Sequence, residues 1–413
     1  MIKIISEEEF KEFEMGREDA SFFQSIGFKR LKEAYNEKII LLGYFEEDIL
    51  KAASLFIKSK PFLGNYRLYA PRGFLIDYND SKLLKRFTSE LKVFAKKEKI
   101  YEIKIDPNII YRYRSKEGDT LNDETSDTAI NNLTSAGFIH GGFHNEVVFS
   151  QSRWNYHLDL DTDIDSLYQS FNKNTRKNIM SARSKGVLTK EIKNLDEIES
   201  FTKVLNTTGL RKDFKVWDTS YYKKVKEAYG DDVYFFLAYI DKSKYIRETN
   251  ARLLSEEANL EHIERDIANA KLSKKLENKR NTSLNLIKKI KDELKEADSL
   301  DDITPIGALV SYVSGKYFLS LSSGTEEKYK DFNPKYALYD AHLHKAYELG
   351  IKHIDFYGII PNFDKHSKDY GILEFKQGFG GYIVELLGEF TLRINYRSNL
   401  HKFLQSIKRR ISK

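Results

Sequence analysis

The sequence predicts an α+β protein made of two related α/β units, with an antiparallel helical hairpin inserted into the second. Three observations carry this expectation. Strand-like runs followed by a helix and a strand occur twice along the chain. A stretch from 244 to 299 loses Gly, Pro and nearly all aromatics and becomes dense in Glu, Lys, Asn and Leu. Finally, 413 residues exceed what a single hydrophobic core ordinarily organises.

In the first copy, IILLGYF, ILKAASLFIK and YRLYAPRGFLIDY read as strands, SKLLKRFTSELKVFAKKE as an amphipathic helix, and IYEIKIDP as a strand closing at Asp106 and Pro107. The order returns as GALVSYV, KYFLSLSSG, the helix PKYALYDAHLHKAYELG and the strand KHIDFYGIIP. Such repetition implies two units packed side by side, with a ligand cleft between them. The expected division is 1–153 for the first unit, 154–243 with 300–395 for the second, and 244–299 for the hairpin. The tail 396–413 reads as a basic amphipathic helix with Leu400, Phe403, Leu404, Ile407 and Ile411 on one side. Packing against the first unit is its expected role, and an anionic bilayer is the other surface it suits.

The hairpin is legible from its period. Ile246, Leu253, Leu260 and Ile267 recur every seven residues, with Ile263 and Ala270 on an offset seam, and the pattern resumes at Ile287, Ile290, Leu294 and Ala297. Strand-like text on both sides, VYFFLAYI before and ITPIGALVSYV after, places the insertion between two strands of one sheet. Heptads do not name a partner, so a docking arm and a dimerising coiled coil both fit; a monomer or weak dimer is expected.

The stretch NKNTRKNIMSARSKG, 172–186, carries Lys173, Arg176, Lys177, Arg183 and Lys185 with almost no local acid. Helical spacing sets Lys173, Arg176 and Lys177 on one side while Phe171, Ile179 and Ala182 turn inward, giving a basic ridge backed by core. A second knot follows at Arg211, Lys212 and Lys215. The net charge of +6 is too small to coat a nucleic acid uniformly, yet a local patch suffices to attract a polyanion. A solvated charged face is the bland alternative.

Composition narrows the classes further. Hydrophobic residues at 41% and aromatics at 13% mark a globular chain. The absence of cysteine removes disulfides, thiolate catalysis and Cys-based zinc sites, and fits a reducing, cytoplasmic setting. The start, MIKIISEEEFKEFE, has no apolar core of a secretory signal, and no stretch approaches the ~20 apolar residues of a membrane span, so any membrane contact is expected to be peripheral. His140 and His144 flank Gly141 and Gly142, which break the helix a metal pair would need, and no metal site is expected. No GxxxxGK[ST] or GxSxG occurs, and QSIG and QGFGG lack the strand, loop and helix of a pyrophosphate site, so acetyl-CoA is disfavoured and no cofactor is expected.

Read together, SFFQSIGFKRLK near 21, APRGFLIDY, IKIDP, FNKNTRKNIMSARSKGV, the hairpin and YGILEFKQGFGGYIVELLGEF at 370–390 resemble the Fem (FemABX) peptidoglycan aminoacyltransferases, almost end to end. The resemblance implies two subdomains of the Gcn5-type acetyltransferase kind, the hairpin marking the bridge-forming subgroup. It implies transfer of an amino acid from aminoacyl-tRNA to the stem-peptide amine of a lipid-linked peptidoglycan precursor. It further implies Lys376, in LEFKQGFGG, as the catalytic cation, Asp106 as base or amine-orienting group, and Lys32 with Arg211 on the precursor's diphosphate. Lys212 or Lys215 could stand in for Arg211, and Tyr221 and Tyr222 are candidates for the peptide groove. The ridge Lys173, Arg176, Lys177 and Arg183, with the hairpin tip Lys274, Lys275, Lys279 and Arg280, would then contact the tRNA backbone.

The chemistry fits this inventory. An aminoacyl ester is already activated, so no ATP site is required. An acceptor amine with a pKa of about 10.4 must lose a proton before it attacks, at a cost of roughly 4–5 kcal/mol at neutral pH. The tetrahedral intermediate needs a cation near its oxygen. An acyl-CoA-dependent N-acyltransferase and a non-catalytic RNA- or membrane-associated scaffold are the competing classes. The transferred residue, Gly, Ala or Ser, is not fixed by any pattern.

Overall fold

The computed structural model describes residues 1–122, 125–144, 151–212, 216–269, 274–401 and 404. Two mixed sheets carry the fold. The first runs in the order β1 (Ile2–Ile4), β2 (Lys38–Glu46), β3 (Ile49–Lys58), β4 (Tyr66–Arg72), β5 (Ile100–Pro107), β15 (Phe390–Arg393) and β7 (Ile139–His140). The second runs β6 (Ile110–Arg114), β14 (Tyr382–Leu386), β8 (Trp154–Asp159), β13 (His353–Gly358), β12 (Tyr317–Thr325), β11 (Ile303–Ser314), β10 (Val233–Asp241) and β9 (Val187–Glu191).

The duplication read from the sequence is physical. In the first lobe β2, β3 and β4 form an antiparallel run, α3 (Ser81–Lys97) crosses over, and β5 returns parallel to β4. In the second lobe β10, β11 and β12 are antiparallel, α11 (Pro334–Glu348) crosses over, and β13 returns parallel to β12. The expected α/β repeat is thus present twice. The sheets also exchange strands, so the division at 153 follows the chain and not the sheets: β6 joins the second sheet through β14, and β15 joins the first through β5.

Helices and sheets alternate in layers. α3 and α4 (Asp127–Ser135) cover the outer face of the first sheet, where Phe56, Phe74, Leu84 and Phe87 are buried. Between the sheets lie α1 (Glu7–Met15), α2 (Ile26–Glu33), α7 (Ile198–Lys212) and α8 (Thr219–Tyr229). Their side chains build a core shared by both lobes, including Phe10, Phe22, Phe201, Tyr222 and Tyr312. The outer face of the second sheet packs under α5 (Ile164–Ser170), α6 (Lys173–Ser184), α11 and α12 (Tyr370–Gln377). Strand alternation sorts residues between these layers: Phe235 and Leu237 enter the shared core, and Phe236 and Ala238 the outer one.

The hairpin is α9 (Lys242–Asn269) and α10 (Lys274–Ala297), inserted between the adjacent strands β10 and β11. Its polar pairs run in opposite chain directions: Glu264 meets Arg280, Glu257 meets Lys291, and Arg252 meets Glu293. On the predicted seam Ile263, Ile287, Ile290 and Ala297 are buried, whereas Ile246, Leu253, Leu260, Ile267 and Leu294 are half-buried. Ala270 lies outside the described residues.

Beyond β15 the chain turns back onto the first lobe. Ser398 donates to the buried Glu102, and the His401 ring packs 4.9 Å from Phe62. Phe403, Ile407 and Ile411 of the predicted tail lie outside the described residues. No helix among the described residues is long and apolar enough to cross a membrane.

Candidate active site

Both lobes end their crossover in a parallel strand pair, and the two pairs differ. In the first lobe β4 and β5 stay joined from Tyr66 with Ile100 to Arg72 with Pro107. In the second, β12 and β13 pair only from Tyr317 with His353 to Leu319 with Asp355. Beyond that point β12 continues along β11 while β13 follows β8, so the second sheet opens into a V. One carbonyl after another on the departing β13 is then left without a ladder partner on that side.

Lys376 fills this gap. It lies on the last turn of α12, is 5% exposed, and donates from Nζ to the carbonyls of Tyr357 at 3.0 Å and Gly358 at 2.7 Å. Desolvation pushes its amine down to about 7, with Asp355 opposing the change and Lys335 adding to it. Lys335, the second residue of α11, holds its amine 3.5 Å from the Phe375 ring centroid and is likewise brought to about 7, by desolvation and by Lys212. α11 begins without a side-chain cap, so its first N–H groups and these amines make one electropositive end. The glycines after Lys376 are structural requirements. A Cβ on Gly378 would stand 2.2 Å from Thr175 Oγ1, and Gly381, at φ +79, would meet the His157 carbonyl at 2.2 Å.

On the other face of the same strands a cavity of about 280 Å³ lies between the lobes, lined by Arg72, Asn155, His157, Tyr317, Asp355 and Tyr357 among others. The Asp355 carboxylate accepts from the Tyr357 N–H at 2.6 Å and from Asn155 Nδ2 at 3.4 Å, and stands 3.5 Å from His157 Nε2. Tyr357 adopts φ +62, a left-handed backbone unusual for a non-glycine residue, and its hydroxyl donates to Gln151 Oε1 at 2.5 Å. Asp106 sits in the related place of the first lobe, at the end of β5. Its carboxylate is buried and occupied, accepting from the Arg72 N–H at 2.6 Å and the Tyr69 hydroxyl at 2.8 Å. Burial raises it, against the opposing charge of Arg72.

A second cavity, of about 400 Å³, opens beside the first and is mainly aromatic. Lys32, Tyr35, Trp217 and Tyr221 form its wall, with the Trp217 ring stacked on Tyr221 at 4.6 Å and 18°. Lys32 is held ready by Glu37 at 2.9 Å. Tyr222 does not line this cavity; it is buried against Phe201 and Phe235 in the shared core. Arg211 does not line it either: the guanidinium lies at the end of α7 and is ion-paired with Glu327. Lys212 faces Lys335 at the start of α11, and Lys215 lies outside the described residues.

Comparison with known proteins settles the family. The family model described as "FemAB family" matches residues 5–408. An aminoacyltransferase FemB of Staphylococcus epidermidis is 30% identical over 386 residues, 91% of each chain. The chain belongs to the FemAB family. An aminoacyltransferase FemA of Staphylococcus aureus is 26% identical over 398 residues, covering 95% of this chain and 94% of its own. A crystal structure of FemX superposes with a TM-score of 0.78 at 23% identity, covering 98% and 99% of the two chains, and shares the fold.

Within this FemAB chain the basic ridge is surface. Lys173, Arg176 and Lys177 are exposed on α6 over the buried Thr175, Ile179 and Ala182. Arg183 is committed elsewhere, forked onto Asp340 of α11 at 2.8 and 3.0 Å. At the hairpin end Lys274, Lys275 and Lys279 are exposed, while Arg280 pairs with Glu264 at 3.1 Å. Residues missed by sequence reasoning are Asp355, His157, Arg72 and Lys335. Two of them had a signal. KHIDFYG repeats the strand IYEIKIDP, so aligning the two ID pairs points to Asp355, while Lys335 follows the proline that opens the repeated helix.

Proposed function

We propose that this FemAB enzyme transfers an amino acid from aminoacyl-tRNA to the stem-peptide amine of a lipid-linked peptidoglycan precursor, extending an interpeptide bridge. The observation that carries this reading is the V between β12 and β13 with the desolvated Lys376 at its throat. Only the second lobe offers such an opening, because β4 and β5 remain paired to their ends. The esterified 3′ end of the donor enters there. Its phosphates lie against the uncapped start of α11 with Lys335 and Lys212, and the acceptor's stem peptide reaches the inter-lobe cavity from the other side.

The acceptor ammonium first gives up a proton, which the Asp355 and His157 pair is placed to receive. The free amine attacks the ester carbonyl, and a C–N bond forms as the carbonyl becomes an oxyanion. Lys376, protonated, stabilises that charge in a site from which water is excluded. Collapse breaks the C–O bond to the ribose, whose oxygen takes the proton that the attacking nitrogen gives up, leaving a neutral amide and a free hydroxyl. Asp106 supports the reaction at one remove, by fixing the Arg72 backbone at the cavity wall. Lys32 and the Trp217 and Tyr221 faces suit the diphosphate and the adjoining sugar, and Lys173, Arg176, Lys177 and the hairpin lysines suit the tRNA backbone.

The test is a transfer assay with purified protein, lipid-linked precursor and either charged tRNA or the matching acyl-CoA. The reading expects a product from the tRNA alone, lost on ribonuclease treatment. A product from the acyl-CoA that survives ribonuclease would replace this reading with the N-acyltransferase one.

A further inference from the structure

The outer face of the second sheet carries a charged pocket that the transfer reaction does not use. Strand alternation turns Trp154 and Glu385 away from the inter-lobe cavity that Asn155 and His157 line, and register sets Glu385 opposite both Arg112 on β6 and Trp154 on β8. There a cavity of about 430 Å³ is walled by Arg112, Arg114 and Arg153, with Trp154, Phe143 and Glu385.

Its charges do not balance. Arg114 Nε donates to Glu385, and Arg153 Nη1 stands 2.8 Å from the other oxygen of the same buried carboxylate. Arg114 also donates to the Gly118 carbonyl at 2.9 Å, and Arg153 Nε to the His144 carbonyl at 3.1 Å. Arg112 has no acceptor among the described residues; its Nε is shut off from solvent and unpartnered, as is Trp154 Nε1. Among the described residues one carboxylate therefore faces three guanidinium groups. Two of them lie over the Trp154 ring, Arg114 at 5.1 Å and Arg153 at 5.2 Å, so apolar walls hem in the surplus charge. Desolvation lowers Arg153 despite Glu385, and Arg114 repels it further.

Pinning β6 to β14 would need no more than one arginine on Glu385. A surplus of planar forked donors around a half-open cavity is instead what an oxyanion with several acceptor oxygens requires. We propose that this pocket binds a phosphate group, with Arg112 as its principal ligand and Arg114 and Arg153 completing the set. Because Arg112 and Arg114 come from β6 while Trp154 opens β8 and Arg153 directly precedes it, a bound phosphate ties the exchanged strand β6 to the sheet it joins. The phosphate is free, as orthophosphate or pyrophosphate, or belongs to the backbone of a nucleic acid; the site chemistry is the same.

The experiment titrates the full chain, at constant ionic strength, with orthophosphate, pyrophosphate and a short ribo-oligonucleotide, by calorimetry. Wild type binds at least one of them, and Arg112→Gln weakens that binding about tenfold or more. Arg112 is on an edge strand and has no ionic partner to lose, so the variant keeps its melting temperature in phosphate-free buffer. The chain has two tryptophans, so Trp217→Phe makes Trp154 the sole reporter, and its emission responds to the same ligand unless Arg112→Gln is also present. Binding of the free anions identifies a small-molecule site, and binding of the oligonucleotide alone identifies a backbone contact. No heat and no change in Trp154 emission with any of the three, or equal affinity in Arg112→Gln, overturns the proposal.

Discussion

Replacing Lys376 with Met separates stability from catalysis. In the folded chain the amine is brought from an ordinary 10.5 to about 7, which amounts to about 5 kcal/mol favouring its neutral form. Below pH 7 both the folded and the unfolded chain hold the proton, so the cost of burying the charge is fully present. Between pH 7 and 10.5 the unfolded chain still binds a proton that the folded chain has released, so wild-type stability climbs by about 1.4 kcal/mol per pH unit. The Met variant has no such slope. It does leave the Tyr357 and Gly358 carbonyls without their donor, at about 1 kcal/mol each. Lys376→Met should therefore be more stable than wild type by about 3 kcal/mol at pH 6, with the gap closing near pH 9, while transfer is abolished and precursor binding persists. Urea unfolding at pH 6, 7.5 and 9, beside a single-turnover transfer assay, reads both effects. A variant less stable than wild type at pH 6, or a gap that does not change with pH, would refute the reasoning about desolvation.

Three further outcomes are expected. Lys32→Gln should raise the KM for the precursor at least tenfold with kcat nearly unchanged, because its ammonium lines the aromatic cavity away from the reacting atoms. Asp355→Asn keeps the hydrogen bond from the Tyr357 N–H but removes the charge facing His157; kcat should fall about 100-fold or more with precursor KM preserved, in steady-state kinetics. Excising 250–293 behind a short Gly linker should leave the melting temperature within a few degrees and weaken tRNA binding. The cut spares Tyr245 and Ala297, which pack into the second-lobe core, and a filter-binding assay would detect no change if the arm has another task.

The sequence disclosed the duplicated unit, the hairpin and its place between two strands because each rests on local periodicity. Ile263, on the offset seam, and Ile287 and Ile290, where the pattern resumes, are buried. The strand exchange was not legible: β6 and β15 are five and four residues long, and nothing in IYRYR or FTLR tells which sheet they join. Lys376 was reached through its family motif, but its environment was not, since an apolar run into glycines fits a strand end as well as the helix observed. The family resemblance sets Arg211 beside Lys32 on the diphosphate; its pairing with Glu327, over a hundred positions away in sequence, has no local trace. Asp355 and His157 meet only through the pairing of β13 with β8, and that long-range contact is what the sequence conceals.

The most direct measurement follows a labelled amino acid from charged tRNA into the lipid-linked precursor and locates the new bond by fragmentation mass spectrometry. The account predicts an amide on the side-chain amine of the stem peptide with wild type and none with Lys376→Met. Label that stays on the tRNA, or a wild-type product equalled by Lys376→Met, would contradict it.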